Sequence, residues 1–134
     1  MSGSEHPPPP PSKEHGKGHI LAKDSGNVVV RFTFQWSWKD PQSGIPIPLT
    51  FNINSDIGVP SFQSPGAPGK NELNVEYVPS KGRPNGLSTF NGSIGSGQVF
   101  INIPKWGIVI KGPVEGGPPD GEGVNFAGNG SWVG

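Results

Sequence analysis

The chain has 134 residues, enough for one domain, and its ten basic and ten acidic side chains cancel to a formal net charge of zero. A dilute, balanced charge offers neither the clustered Lys and Arg that nucleic acid requires nor the basic patch that holds a protein on an anionic membrane. Cysteine is absent, which removes disulfides, thiolate metal sites and cysteine nucleophiles together.

Residues 1–19 read as a flexible Pro/His/Gly-rich arm. Five consecutive prolines, Pro7 to Pro11, favour an extended polyproline II conformation, and all three histidines (His6, His15, His19) lie in this stretch. The glycines between His15 and His19 oppose a helix that would fix both as metal ligands. The arm carries no apolar run of the kind a cleaved secretory leader contains. The expectation is a protein that is cytoplasmic, or exported without a cleaved signal peptide.

The remainder, residues 20–134, reads as one β-domain. Residues 20–22 open a first short strand, and 23–27 form a turn. Residues 28–38 are its centre: Val28, Val30, Phe32, Phe34, Trp36 and Trp38 alternate with Val29, Arg31, Thr33, Gln35 and Ser37. Alternation with a period of two, in β-branched and aromatic residues, is the signature of a half-buried strand. After the turn cluster at 39–44, Ile45-Pro46-Ile47-Pro48 must be extended, and its prolines confine it to an edge or a lead-in.

Residues 49–54 alternate again, with Leu49, Phe51 and Ile53 inward. Residues 55–70 read as a long loop, residues 72–78 as a strand, and 79–86 as a turn region. Residues 87–94 and 98–103 form two strands across the Gly-rich connection Gly95-Ser96-Gly97. Residues 106–111 are a further strand and 111–123 a Gly/Pro/acidic loop. Residues 124–127 and 131–133 would then close the domain as a hairpin over Gly128-Asn129-Gly130. Many short strands, frequent turns and no helical period predict an all-β fold, an antiparallel β-sandwich, jelly roll or barrel, with a single sandwich or jelly-roll-like domain preferred.

Catalytic chemistry finds little to work with. No serine has a nucleophile-elbow setting, and no Gly-rich stretch matches a dinucleotide or phosphate-binding fingerprint. Glu72 and Glu76 share a strand face, but their spacing of roughly 13 Å at strand rise exceeds that of a glycosidase pair. The expectation is therefore a protein that is not an enzyme. Asp120 and Glu122, in a Gly-rich loop, are the place for a metal, where two carboxylates and loop carbonyls suit calcium. No other cofactor is implied.

Binding chemistry has more to work with. Trp106 and Trp132 stand at strand edges, with Asn129 and Ser131 beside the latter, and Trp38 ends the central strand. An indole covers the apolar face of a sugar ring while amides and hydroxyls bond its hydroxyl groups. Trp106, Trp132, Asn129, Ser131 and Trp38 are accordingly the candidate ligand-binding residues of a lectin-like carbohydrate-binding protein. The alternative is a self-assembling structural subunit of a fibre, shell or tail-like particle, a homo-oligomer joined through its N-terminal arm. A membrane-active β-protein ranks behind both.

Overall fold

The computed structural model describes residues 13–22, 28–65 and 73–134. The polyproline run and the turn expected at 23–27 lie outside the described residues. The strands are β1 (Glu14–Ala22), β2 (Val28–Lys39), β3 (Pro46–Pro60), β4 (Phe62–Gln63), β5 (Leu73–Tyr77), β6 (Gly86–Gly95), β7 (Gln98–Ile103), β8 (Ile108–Pro113), β9 (Glu115–Gly116) and β10 (Val124–Val133). Two single 3-10 turns, η1 (Pro79–Lys81) and η2 (Pro104–Trp106), follow β5 and β7.

Every pairing is antiparallel, in the order β1-β2-β3-β10-β6-β7-β8-β5 and back to β1. The result is a closed eight-stranded barrel, which corrects the expected sandwich or jelly roll. The cause lies in β1. Gly18 of this strand pairs with Trp36 of β2 on one side and with Leu73 of β5 on the other, so the sheet closes on itself instead of splitting into two layers. The strand begins at Glu14, so the last residues of the expected arm are barrel wall.

β2 supplies the heart of the core. Phe32, Phe34, Trp36 and Trp38 point inward and are buried, each contributing roughly 1.5–3 kcal/mol as an upper estimate. Below Phe32 the expected facing reverses: Val29 is buried while Val28 and Val30 are exposed, because the β2–β3 register shifts between Val29 and Arg31. An irregularity of this kind puts successive residues out of phase with the pleat. Pro46 and Pro48 pair with Lys39 and Ser37 of β2, whereas the β10 ladder starts at Thr50, so both prolines sit where β3 is an edge.

Eight strands enclose a space that side chains can just fill, and here large rings are matched with glycines. A Cβ on Gly18 would lie 2.5 Å from the Phe34 ring, and one on Gly130 would lie 2.7 Å from both Phe51 and the Asn52 carbonyl. This explains β10. Gly128 and Gly130 are places of close approach inside one continuous strand, and the expected terminal hairpin over 128–130 does not form. The hairpin between β6 and β7 does form. Ser96 (φ 50°) and Gly97 (φ 72°) are both left-handed, as a two-residue type I′ turn requires.

The two ends of the barrel close differently. At one, β4 adds to the end of β1 and β9 adds to β4, laying a short ribbon beside Phe32, Phe62 and Phe126. At the other gather all four tryptophans and the single tyrosine: Trp36 and Trp38 ending β2, Tyr77 ending β5, Trp106 in η2 and Trp132 near the end of β10.

Candidate functional site

Because the barrel interior is packed, a ligand must be met on its outer wall or at its mouths. The expected site residues divide along that line. Trp132 (7% exposed) and Trp38 (6%) are in the core, and Trp132 stacks on Phe51 at 4.5 Å. Asn129 and Ser131, on alternate positions of β10, face outward beside Asn54 and Asn52 of β3. Strand alternation thus separates Trp132 from its sequence neighbours. Trp106 is half-buried, its Nε1–H donating to the Ser88 hydroxyl at 3.0 Å, with the Lys105 ammonium 5.5 Å from its ring. The five residues do not converge on one surface.

Asp120 and Glu122 are both exposed in the loop between β9 and β10. Among the described residues no three His, Cys, Asp or Glu side chains gather as a metal would need. Glu76 bonds Lys13 at 2.9 Å, which lowers its pKa from the ordinary value, while Glu72 lies outside the described residues.

The Trp-lined mouth holds a concavity between the 40–44 turn and the β5–η1 corner, edged by Glu14, Asp40 and Tyr77. One of its two acids is committed to the turn: Asp40 accepts the Gln42 N–H at 3.0 Å and the Ser43 hydroxyl at 2.9 Å, and both bonds lower its pKa. Burial, followed by the nearby Glu14 carboxylate, raises the pKa of Tyr77, so its phenol is held protonated.

A better-equipped surface lies on the outer wall, toward the phenylalanine end. In β7, Val99, Ile101 and Ile103 are buried, which turns Gln98, Phe100 and Asn102 outward. Of the seven phenylalanines six are buried, and Phe100 alone is exposed, at 41%. Its direct cross-strand partners are Ser93 of β6 and Lys111 of β8, and Ser93 is itself opposite Asn125 of β10. Side chains directly opposite one another across a ladder have Cβ atoms about 4.5–5.5 Å apart. Phe100, Ser93, Asn125, Gln98 and Lys111 therefore line one groove of about 520 Å³. The group offers an apolar ring face, an alcohol, two amides and one cation.

A second depression of about 400 Å³ adjoins it, lined by Asp56, Asn91, Ala127 and again Asn125. One Asp56 carboxylate oxygen accepts the Ala127 N–H at 3.2 Å. Sequence reasoning missed Phe100. The signal was present, since three aliphatic residues at 99, 101 and 103 put position 100 on the opposite face.

Among the described residues no helix is long and apolar enough to cross a membrane. Comparison with protein-family models, with curated proteins and with solved structures finds no match.

Proposed function

We propose that the protein is a non-enzymatic carbohydrate-binding module, lectin-like in function, and that the Phe100 groove is its binding site. One observation carries the reading: a chain that buries every other phenylalanine leaves this ring in water, among a hydroxyl and two amides. A pyranose has an apolar face and a rim of hydroxyls, and a small number of placed polar groups around an apolar platform is what orients such a ligand. The neighbouring outer wall extends the same chemistry. Thr33, Asn52 and Ser131 lie in one cross-strand row, and Asn54, Asn129 and Thr89 in another. In this reading Asn129 lies two positions beyond Ala127 of the second depression, Ser131 stands further toward the tryptophan end, and Trp38 and Trp132 support the barrel from within.

The test is a glycan array probed with the wild-type chain and with Phe100→Ala. Binding should be present in the first and lost in the second, with identical circular dichroism. A silent array, or binding indifferent to the substitution, would overturn the assignment.

Self-assembly is the second reading. It is favoured by Val28, Val30 and Ile57, three exposed apolar side chains located where β2 and β3 leave register. Sedimentation analysis decides it: a large particle that dissociates on Val30→Lys supports assembly, and a monomer at high concentration removes it.

A further inference from the structure

We infer that the ligand is an acidic oligosaccharide, with a carboxylate-bearing ring on Phe100 and uncharged rings running over Asn125 toward Asp56. The inference rests on the carbohydrate reading above and names the class of sugar.

The first argument is charge. Lys111 is the one ionisable side chain lining the Phe100 groove, and it lies directly opposite Phe100 in the β7–β8 ladder. A ring seated on Phe100 would bring its substituents next to that ammonium. The row continues from Lys111 to Asn74 and then to Lys17, so a second cation stands two strands further round the barrel. Glu76, on the neighbouring strand, takes its ion pair from Lys13 at 2.9 Å, and Lys111 is the least of the charges that lower its pKa. Ammonium and carboxylate attract at this range even when exposed, and more strongly in low salt.

The second argument is length and direction. The two depressions share Asn125, and together they run from β3 across β10, β6 and β7 to β8. Four strand spacings follow the curved wall for roughly 19 Å, half the way round the ring of eight strands, so several linked rings would wrap the barrel. The charges at the two ends are opposite: Lys111 beside Phe100, and Asp56 at the far depression. Asp56 repels a carboxylate, so an acidic ring is favoured at the Phe100 end and disfavoured at the other.

The experiment is calorimetric titration with a linear oligosaccharide of four or more rings that carries a single uronic acid at one end, its carboxyl-reduced neutral counterpart, and the free uronic acid monomer. The singly charged chain should bind up to about fivefold more tightly than the reduced chain, the upper end of what one exposed charge pair contributes. Lys111→Gln should abolish that difference, whereas Phe100→Ala should abolish binding of both. Equal affinity for the charged and reduced chains would overturn the acidic assignment and leave the carbohydrate reading standing. A monomer that binds as tightly as the chain would overturn the extended footprint. Failure of both chains to bind would take down this inference and the carbohydrate reading together.

Discussion

The two ends of the barrel solve the same problem with different materials. At the phenylalanine end the wall is closed by extra backbone, the β4–β9 ribbon, under which Phe32 packs edge-on against Phe62 (5.2 Å) and Phe126 (5.5 Å). The buried hydroxyl there, on Ser64, accepts the Ile20 N–H at 2.9 Å. At the tryptophan end side-chain bulk replaces the ribbon. Trp36 meets Tyr77 at 5.0 Å and Trp132 at 6.1 Å, and η2 brings Trp106 over the side. That solution leaves the indole N–H groups of Trp36, Trp38 and Trp132 buried without an acceptor among the described residues. Each such donor costs about 1–3 kcal/mol relative to one that is bonded. Packing is good at both ends, but among the described residues the buried indole donors that lack an acceptor all stand at the tryptophan end.

Substitutions can break this contrast. The largest effect is expected of Phe32→Ala, which removes the ring on which the Phe62 and Phe126 contacts converge. Urea unfolding should show a loss of about 3–5 kcal/mol. Next come paired glycine substitutions, one toward each end. A Cβ on Gly92 would lie 2.4 Å from the Phe100 carbonyl oxygen, which belongs to the wall and cannot move aside. A Cβ on Gly16 would meet only the Trp36 side chain, at 2.8 Å. Gly92→Ala should therefore cost about 3 kcal/mol and Gly16→Ala about 1 kcal/mol, within the range for overpacking. Equal costs would mean that the tryptophan end is as unyielding as the wall.

Trp132→Phe should be milder still, because the packing it loses is offset by removing an unbonded donor. A net loss of about 1 kcal/mol or less is expected. A loss as large as that of Phe32→Ala would show that the indole N–H is bonded after all. The smallest effect lies on the outer wall beside the tryptophan end. The Glu76 pKa is lowered in the folded state, chiefly by Lys13. Its contribution to stability is therefore present above the ordinary glutamate value and lost as pH falls through the depressed one. Lys13→Ala should lower stability slightly at neutral pH and leave it unchanged below the depressed Glu76 value, so that the acid limb of the stability–pH curve is flattened.

Local pattern was legible in the chain and closure was not. The alternation from Phe32 to Trp38 and the Ser96-Gly97 turn depend on neighbours in sequence, and both are found in the barrel. Whether a set of alternating strands splits into two sheets or joins into one ring depends on a pairing such as Gly18 with Leu73, which no local period encodes. The glycines of β1 and β10 misled for a physical reason. Gly16, Gly18 and Gly130 suggest turns or flexibility, yet they are spaces cut for Trp36, Phe34 and Phe51 on other strands. The same ambiguity governed the candidate site. Tryptophan next to Asn and Ser suggested a platform, but facing is set by register, which buried Trp132 and turned Phe100 to the solvent.

The crowding of all four indoles and the one phenol at a single mouth has a practical side. Near-ultraviolet absorbance and intrinsic emission of this chain originate almost entirely there, while the Phe100 groove lies toward the opposite end. Sugar titrations followed by native fluorescence would register little even at saturation. A tryptophan introduced in place of Phe100 would supply the missing optical reporter.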